Sequence, residues 1–130
     1  KIPIITTGGA GGQIEPTQIR VADLNKTFNE PLAARVRSTL RRDYGFSRTQ
    51  GRNYSVPCVF STEQLRYPQA DGSVCQTKGF VGEGVKLDCA GGFGAVMMVT
   101  ASFGMVAAAR AVGKLVAGAR RPVERSATSE

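Results

Sequence analysis

The chain has 130 residues, 42% apolar and 21% charged, which suits a single globular domain able to bury a real core. It holds no histidine and only three cysteines, Cys58, Cys75 and Cys89, none in a C-x-x-C pair, which excludes Ser-His or Cys-His catalysis and a closed zinc site within this chain. The net charge of +7 is clustered, since Arg35, Arg37, Arg41, Arg42, Arg48 and Arg52 share one short segment with a single acid, Asp43; clustered cations of this kind suit a phosphate backbone or a solvated helix face.

In chain order, Ile2 to Thr7 is a short β-branched run that predicts a buried strand. The glycines from Gly8 to Gly12 follow it. Their spacing fails the G-x-G-x-x-G fingerprint, and no Lys-Ser/Thr follows for a phosphate loop, so they predict a structural turn that lets backbones come close. Thr17 to Leu24 alternates polar and apolar residues like a half-buried strand. Asn29-Glu30-Pro31 is a helix start, and Leu32, Val36 and Leu40 then recur at i, i+4 and i+8 as the expected buried stripe of a helix ending near Gly45. Arg37 and Arg41 share one flank of that helix, and Arg35 and Arg42 the other. The polar stretch from Phe46 to Ser55 predicts a mobile loop.

Ser55 to Ser61 predicts a strand, with Pro57 marking an edge or a strand start. Tyr67 to Asp88 is expected to be a long connection without regular structure, delivering the chain to Cys89. There a thiol stands directly before Gly91, Gly92 and Gly94, at the entrance of a helix predicted over Phe93 to Ala117. Unpaired N–H groups and the positive end of the helix dipole favour a thiolate at such a place. The alternative for Cys89 is a small buried residue at a tight turn. Cys89 to Ala109 carries no charge and would satisfy a transmembrane search. Its Gly, Ala, Ser and Thr content instead predicts a helix buried on most sides or lying at a dimer interface. Residues 119–130 are expected to form a disordered tail, and residues 1–118 one folded part. No signal peptide is read at the amino end, and an odd number of thiols fits a reducing, cytoplasmic setting.

Several segments together carry a specific resemblance: Thr6 to Thr17, Val21 to Leu24, Pro31 to Ala34, Cys58 to Glu63, Tyr67-Pro68-Gln69 with Asp71-Gly72, and Asp88 to Ala95. They resemble the tRNA threonylcarbamoyladenosine dehydratases, a branch of the ThiF/MoeB/HesA superfamily of ubiquitin-activating-enzyme-like adenylating proteins. The resemblance implies an α/β fold: the carboxy-terminal half of a Rossmann-like mixed-sheet adenylating domain, ending in a long buried helix. It implies an enzyme that uses ATP and magnesium to adenylate the carboxylate of threonylcarbamoyladenosine at tRNA position 37, then closes a ring with loss of water.

The family's nucleotide loop and phosphate-contacting residues belong to its amino-terminal half. No cofactor-binding residues are therefore expected in this chain, which alone should not bind ATP. The resemblance also implies a homodimer, and it makes Cys89 the candidate catalytic residue and Arg37, Arg41, Arg48 and Arg52 the candidate tRNA-binding residues. Two alternatives stand beside it. One is a sulfur-carrier-protein adenylyltransferase of the molybdopterin or thiamine type. The other is a module that only dimerises and binds RNA or a sulfur-relay partner protein. A membrane anchor is not expected.

Overall fold

A computed structural model of the chain describes residues 2–49, 51–69, 71–76 and 94–119. Cys89, the tail from residue 120 onward and most of the expected long connection lie outside the described residues. The elements are β1 (Thr6–Thr7), β2 (Ile19–Asp23), α1 (Pro31–Asp43), β3 (Pro57–Ser61), β4 (Tyr67–Pro68), β5 (Val74–Cys75) and α2 (Met97–Ala119). Short 3-10 turns, Pro16–Gln18 and Leu24–Lys26, precede and follow β2.

The main sheet has the order β1-β3-β2. β1 runs parallel to β3, with Thr6 opposite Cys58 and Thr7 opposite Val59, and β2 runs antiparallel to β3 from Ile19 opposite Ser61 to Asp23 opposite Pro57. Central β3 is sandwiched, so its alternating side chains define two cores. Cys58 and Phe60 face one side, with Leu24, Ala33 of α1 and Tyr54. Val59 faces the other, with Val99 and Phe103 of α2. The two helices therefore cover opposite faces of a small mixed sheet. Pro57, which has no N–H, stands at the first position of the strand, where it costs least.

Four expectations are corrected. The strand predicted over Ile2 to Thr7 shrinks to two residues, and Ile2 is 88% exposed. The register explains this: Ile5 would face Pro57, and Ser55 before it turns the chain away at φ 60°. On α1 the buried residue is Ala33, whereas Leu32 and Val36 are 53% and 39% exposed. Ala33 is the α1 residue that enters the cluster with Leu24, Tyr54, Cys58 and Phe60, and Leu40 packs against that cluster, which leaves Leu32 and Val36 on the outward side.

The stretch after Tyr67 is not structureless. β4 and β5 form a hairpin, with Tyr67 opposite Cys75 and a tip where Gly72 takes φ 82° and the Asp71 carboxylate accepts the Ser73 N–H. Finally, α2 begins at Met97 rather than Phe93, and within this chain it buries only Val99 and Phe103 fully. Met97, Met98, Met105, Val112, Leu115 and Val116 are exposed. By length and composition α2 could cross a membrane, a test that core helices of soluble proteins also pass.

Candidate functional site

β1 and β3 point their carboxyl ends the same way, and the polar groups gather beyond those ends. This is where open α/β sheets bind ligands. The Gly8 N–H donates to the Val59 carbonyl at 2.8 Å, continuing the ladder by one bond before the chain turns. The Gly9 N–H then donates to a Glu30 carboxylate oxygen at 3.0 Å. Glu30 is also the cap of α1, accepting the Leu32 and Ala33 N–H groups, with Pro31 following as the first helical residue. A Cβ on Gly8 would lie 2.8 Å from Glu30 Cγ, so the glycine is required by close approach.

A second buried carboxylate, Glu63, plays the same part on the other side of the turn. Its Oε2 accepts the Ile14 and Glu15 N–H groups, each at 2.9 Å, and its Oε1 faces Arg66 Nε at 3.4 Å. Gln13, 1% exposed, lies between these anchors. Among the described residues neither atom of its amide group has a partner. The Gly8–Gly12 turn is thus a rigid structural loop, held by carboxylates whose oxygens are already occupied by N–H donors. Sequence reasoning placed the turn but missed Glu30 and Glu63 as its supports. Their signal was present: an acid directly before a helix-opening proline, and an acid two residues after a strand.

The four arginines separate into two pairs. Arg37 donates to the Leu24 carbonyl at 3.3 Å and to Thr27 Oγ1. Arg41 donates through Nε to the Tyr54 hydroxyl at 2.8 Å and through Nη2 to Asn25 Oδ1 at 2.6 Å. Both are half-buried and turned onto the protein, while Arg48 and Arg52 are exposed on the following loop. That loop is tied down, contrary to the mobile loop expected. The Tyr54 hydroxyl donates to the Ser47 carbonyl at 2.8 Å, and the Phe46 and Tyr54 rings meet edge to face. Asp23 accepts the N–H groups of Asn25, Tyr54 and Val56.

Of the cysteines, Cys75 is half-buried in β5 and Cys58 is fully buried in β3. Burial pushes the Cys58 thiol up to about 11, the nearby Glu30 charge adds to the rise, and Arg37 opposes it. Cys58 is expected to resist thiol reagents at neutral pH until the protein unfolds. The sign for stability follows. An unfolded thiol ionises near 9.0 while the folded one holds its proton, so this contribution is complete below about pH 9 and is lost as pH rises to about 11. Unfolding midpoints measured across that window should fall less in Cys58→Ala than in the wild type; equal falls would refute the assignment. Among the described residues no group of three Cys, Asp or Glu side chains could hold a metal ion.

A mixed sheet with a helix on each face and a glycine turn at its parallel carboxyl ends defines part of an α/β domain. Comparison with known proteins makes the class specific, although no protein-family model matches the chain. Over 121 residues it is 54% identical to the tRNA threonylcarbamoyladenosine dehydratase of Escherichia coli (strain K12), covering 93% of this chain and 45% of that protein. The Haemophilus influenzae dehydratase is 49% identical over 116 residues, covering 89% of this chain and 42% of its own length.

Among solved structures, TcdA (CsdL) superposes with a TM-score of 0.77 at 50% identity, over 93% of this chain and 42% of that one. The E. coli enzyme TcdA in complex with ATP gives 0.69 at 46% identity, over 91% and 39%. The resemblance read from the glycine turn, the Cys58 to Glu63 segment and their companions therefore holds: the chain is similar to tRNA threonylcarbamoyladenosine dehydratases along nearly all of its length. It spans less than half the length of these relatives.

Proposed function

We propose that this chain is the carboxy-terminal part of an ATP-dependent dehydratase that adenylates and cyclises threonylcarbamoyladenosine at position 37 of tRNA. The observation that carries the reading is the 54% identity over 121 residues, joined to the same fold at a TM-score of 0.77. A carboxylate is a poor electrophile until its oxygen becomes a good leaving group. The carboxylate attacks the α-phosphorus of ATP, held with magnesium by the remaining length of the protein, and displaces pyrophosphate; internal attack on the acyl-adenylate then closes the ring and expels AMP, with net loss of water from the nucleoside. The AMP and ATP complexes of the E. coli enzyme support the nucleotide.

Among the described residues β1, parallel to β3, is an edge strand, which suits continuation of the sheet by further strands of a Rossmann-like half. Residues 1–119, through the end of α2, belong to this domain, one residue more than the expected 1–118, and 120–130 to its tail. The exposed apolar face of α2 suits a homodimer contact in a soluble, cytoplasmic enzyme. Of the four candidate arginines, the exposed Arg48 and Arg52 meet the tRNA, while Arg37 and Arg41 are engaged by the protein itself.

The test is direct. The full-length gene product, incubated with threonylcarbamoyladenosine-containing tRNA, ATP and magnesium, should yield a nucleoside lighter by one water together with AMP. An acyl-adenylate formed instead on a small carrier protein with a Gly-Gly tail would establish the adenylyltransferase alternative. Cys89→Ala is expected to retain adenylation and nearly full turnover, at a stability cost of about 1 kcal/mol. Internal ring closure does not require a thiol. Loss of cyclisation in a folded variant that still adenylates would make Cys89 a participant in the chemistry.

A further inference from the structure

We infer that Lys26, Arg48 and Arg52 form one preorganised phosphate-binding edge, assembled by Asn25 and Arg41, which act as positioning residues and not as RNA ligands. The inference rests on the tRNA-modifying reading and names the surface that the reading leaves open. Asn25 Nδ2 donates to the Thr49 carbonyl at 3.2 Å and to the Arg52 carbonyl at 2.7 Å. One amide thereby fastens the tip of the basic loop to the 3-10 turn that carries Lys26. The opposite end of that amide, Oδ1, accepts Arg41 Nη2, which fixes its orientation. Arg41 Nε also donates to Tyr54, whose hydroxyl donates to Ser47 at the other end of the loop. The loop is therefore closed at both ends onto α1 and the turn after β2.

The charges agree with this division of labour. Lys26, Arg48 and Arg52 are exposed, while Arg37 and Arg41 are turned inward. From Tyr44 to Ser55 the sequence has no acid, and the carboxylate of Asp23 is occupied by three backbone N–H groups. Tyr44, 70% exposed at the start of the segment, adds a ring suited to stacking on a base. A polyanion with exposed bases fits this edge; an apolar protein partner does not. Ordering the loop before binding spares the entropy that a flexible loop would lose on contact.

The test measures binding of a tRNA transcript to the full-length gene product as a function of salt. The triple variant Lys26→Ala, Arg48→Ala, Arg52→Ala should flatten the slope of log K against log salt by about three units, one per phosphate contact. Asn25→Ala removes no charge, yet should flatten the slope by about one unit as the tip comes loose. Arg37→Gln removes a charge from the same helix and should leave the slope within about half a unit of wild type. If Arg37→Gln does not fold, Arg35→Gln on the exposed opposite flank makes the same comparison.

An unchanged slope in the triple variant overturns the edge, as does an Asn25→Ala protein with wild-type binding. A charge-only effect, with Arg37→Gln or Arg35→Gln as damaging as the loss of one edge cation, overturns it too. Wild-type binding through this edge, with no dehydration of threonylcarbamoyladenosine-containing tRNA in the presence of ATP, would leave the edge standing and refute the dehydratase reading, whereas absence of binding refutes the edge.

Discussion

Phe103→Ala is expected to lower the unfolding free energy of the full-length gene product by about 3–5 kcal/mol, within the range for emptying a buried aromatic site. Phe103 is 4% exposed and shares its cluster with Val59 of the central strand and Val99 one turn earlier on α2. Ile5, Ala10, Ile19 and Val21 pack around that cluster, so the cavity would touch both edge strands and the glycine turn together. These walls belong to different elements pinned by the sheet, which limits their collapse into the space left behind.

Chemical denaturation measures the loss. Phe103→Leu, which keeps most of the volume, should cost less than about 1.5 kcal/mol. Met105→Ala, two residues along on the exposed face, separates docking from covering. Met105→Ala should be near neutral for intramolecular packing, and a large effect there would report a second copy or further chain seated on that face. A loss below about 1 kcal/mol in Phe103→Ala would mean that α2 does not rest on the sheet as described.

How far the sequence was legible depends on whether the signal was local. β3 announced itself by four apolar or small residues after a proline, and α1 by the Glu30-Pro31 start and the Gly45 stop; both lie where the residues put them. The hairpin of β4 and β5 escaped notice because each strand is two residues long and its turn rests on Asp71 and Gly72 rather than on periodicity. Of the stripe Leu32, Val36 and Leu40, Leu40 does pack against the core while Leu32 and Val36 do not, because hydrophobic spacing identifies a helix without saying which face is close to its neighbour. Ala33, not the flanking Leu32, is the α1 residue that is buried in the cluster with Leu24, Tyr54, Cys58 and Phe60.

The same limit applied to charge. Six arginines in one segment were visible, but the inward turn of Arg37 and Arg41 follows from long-range partners, Thr27, Asn25 and Tyr54, that no local pattern pairs with them. Cys89 drew the most attention in the sequence and lies outside the described residues, so its role rests on the biochemical test alone. The supports of the glycine turn went unremarked for the opposite reason. An isolated glutamate before a proline reads as a helix cap, and only the fold reveals that the same carboxylate reaches back over 21 residues to Gly9.

Glu30→Ala should therefore do more than uncap a helix. Loss of an N-cap costs about 0.5–2 kcal/mol. Here the carboxylate also holds the half-buried Gly9 N–H, and loss of that partner adds about 1 kcal/mol. A total of about 1.5–3 kcal/mol is expected, read from the denaturation midpoint of the full-length gene product. Gly8 supplies the internal control. Gly8→Ala alone drives a Cβ to 2.8 Å from Glu30 Cγ and 2.9 Å from Cδ, so the carboxylate must shift and loosen its bonds. In the Glu30→Ala background that obstacle is gone, and the second substitution should cost little.

The double-mutant cycle should accordingly show a coupling of at least about 1 kcal/mol, the two losses together falling short of their sum. Strict additivity would show that Gly8 is a glycine for some reason other than the approach of Glu30. Because this bond joins the turn at the carboxyl end of β1 to the first turn of α1, the double variant should also relax the geometry beyond the strand ends. Turnover falling more steeply than stability in Glu30→Ala would place that geometry in the service of the reaction. Parallel losses would confine Glu30 to the fold.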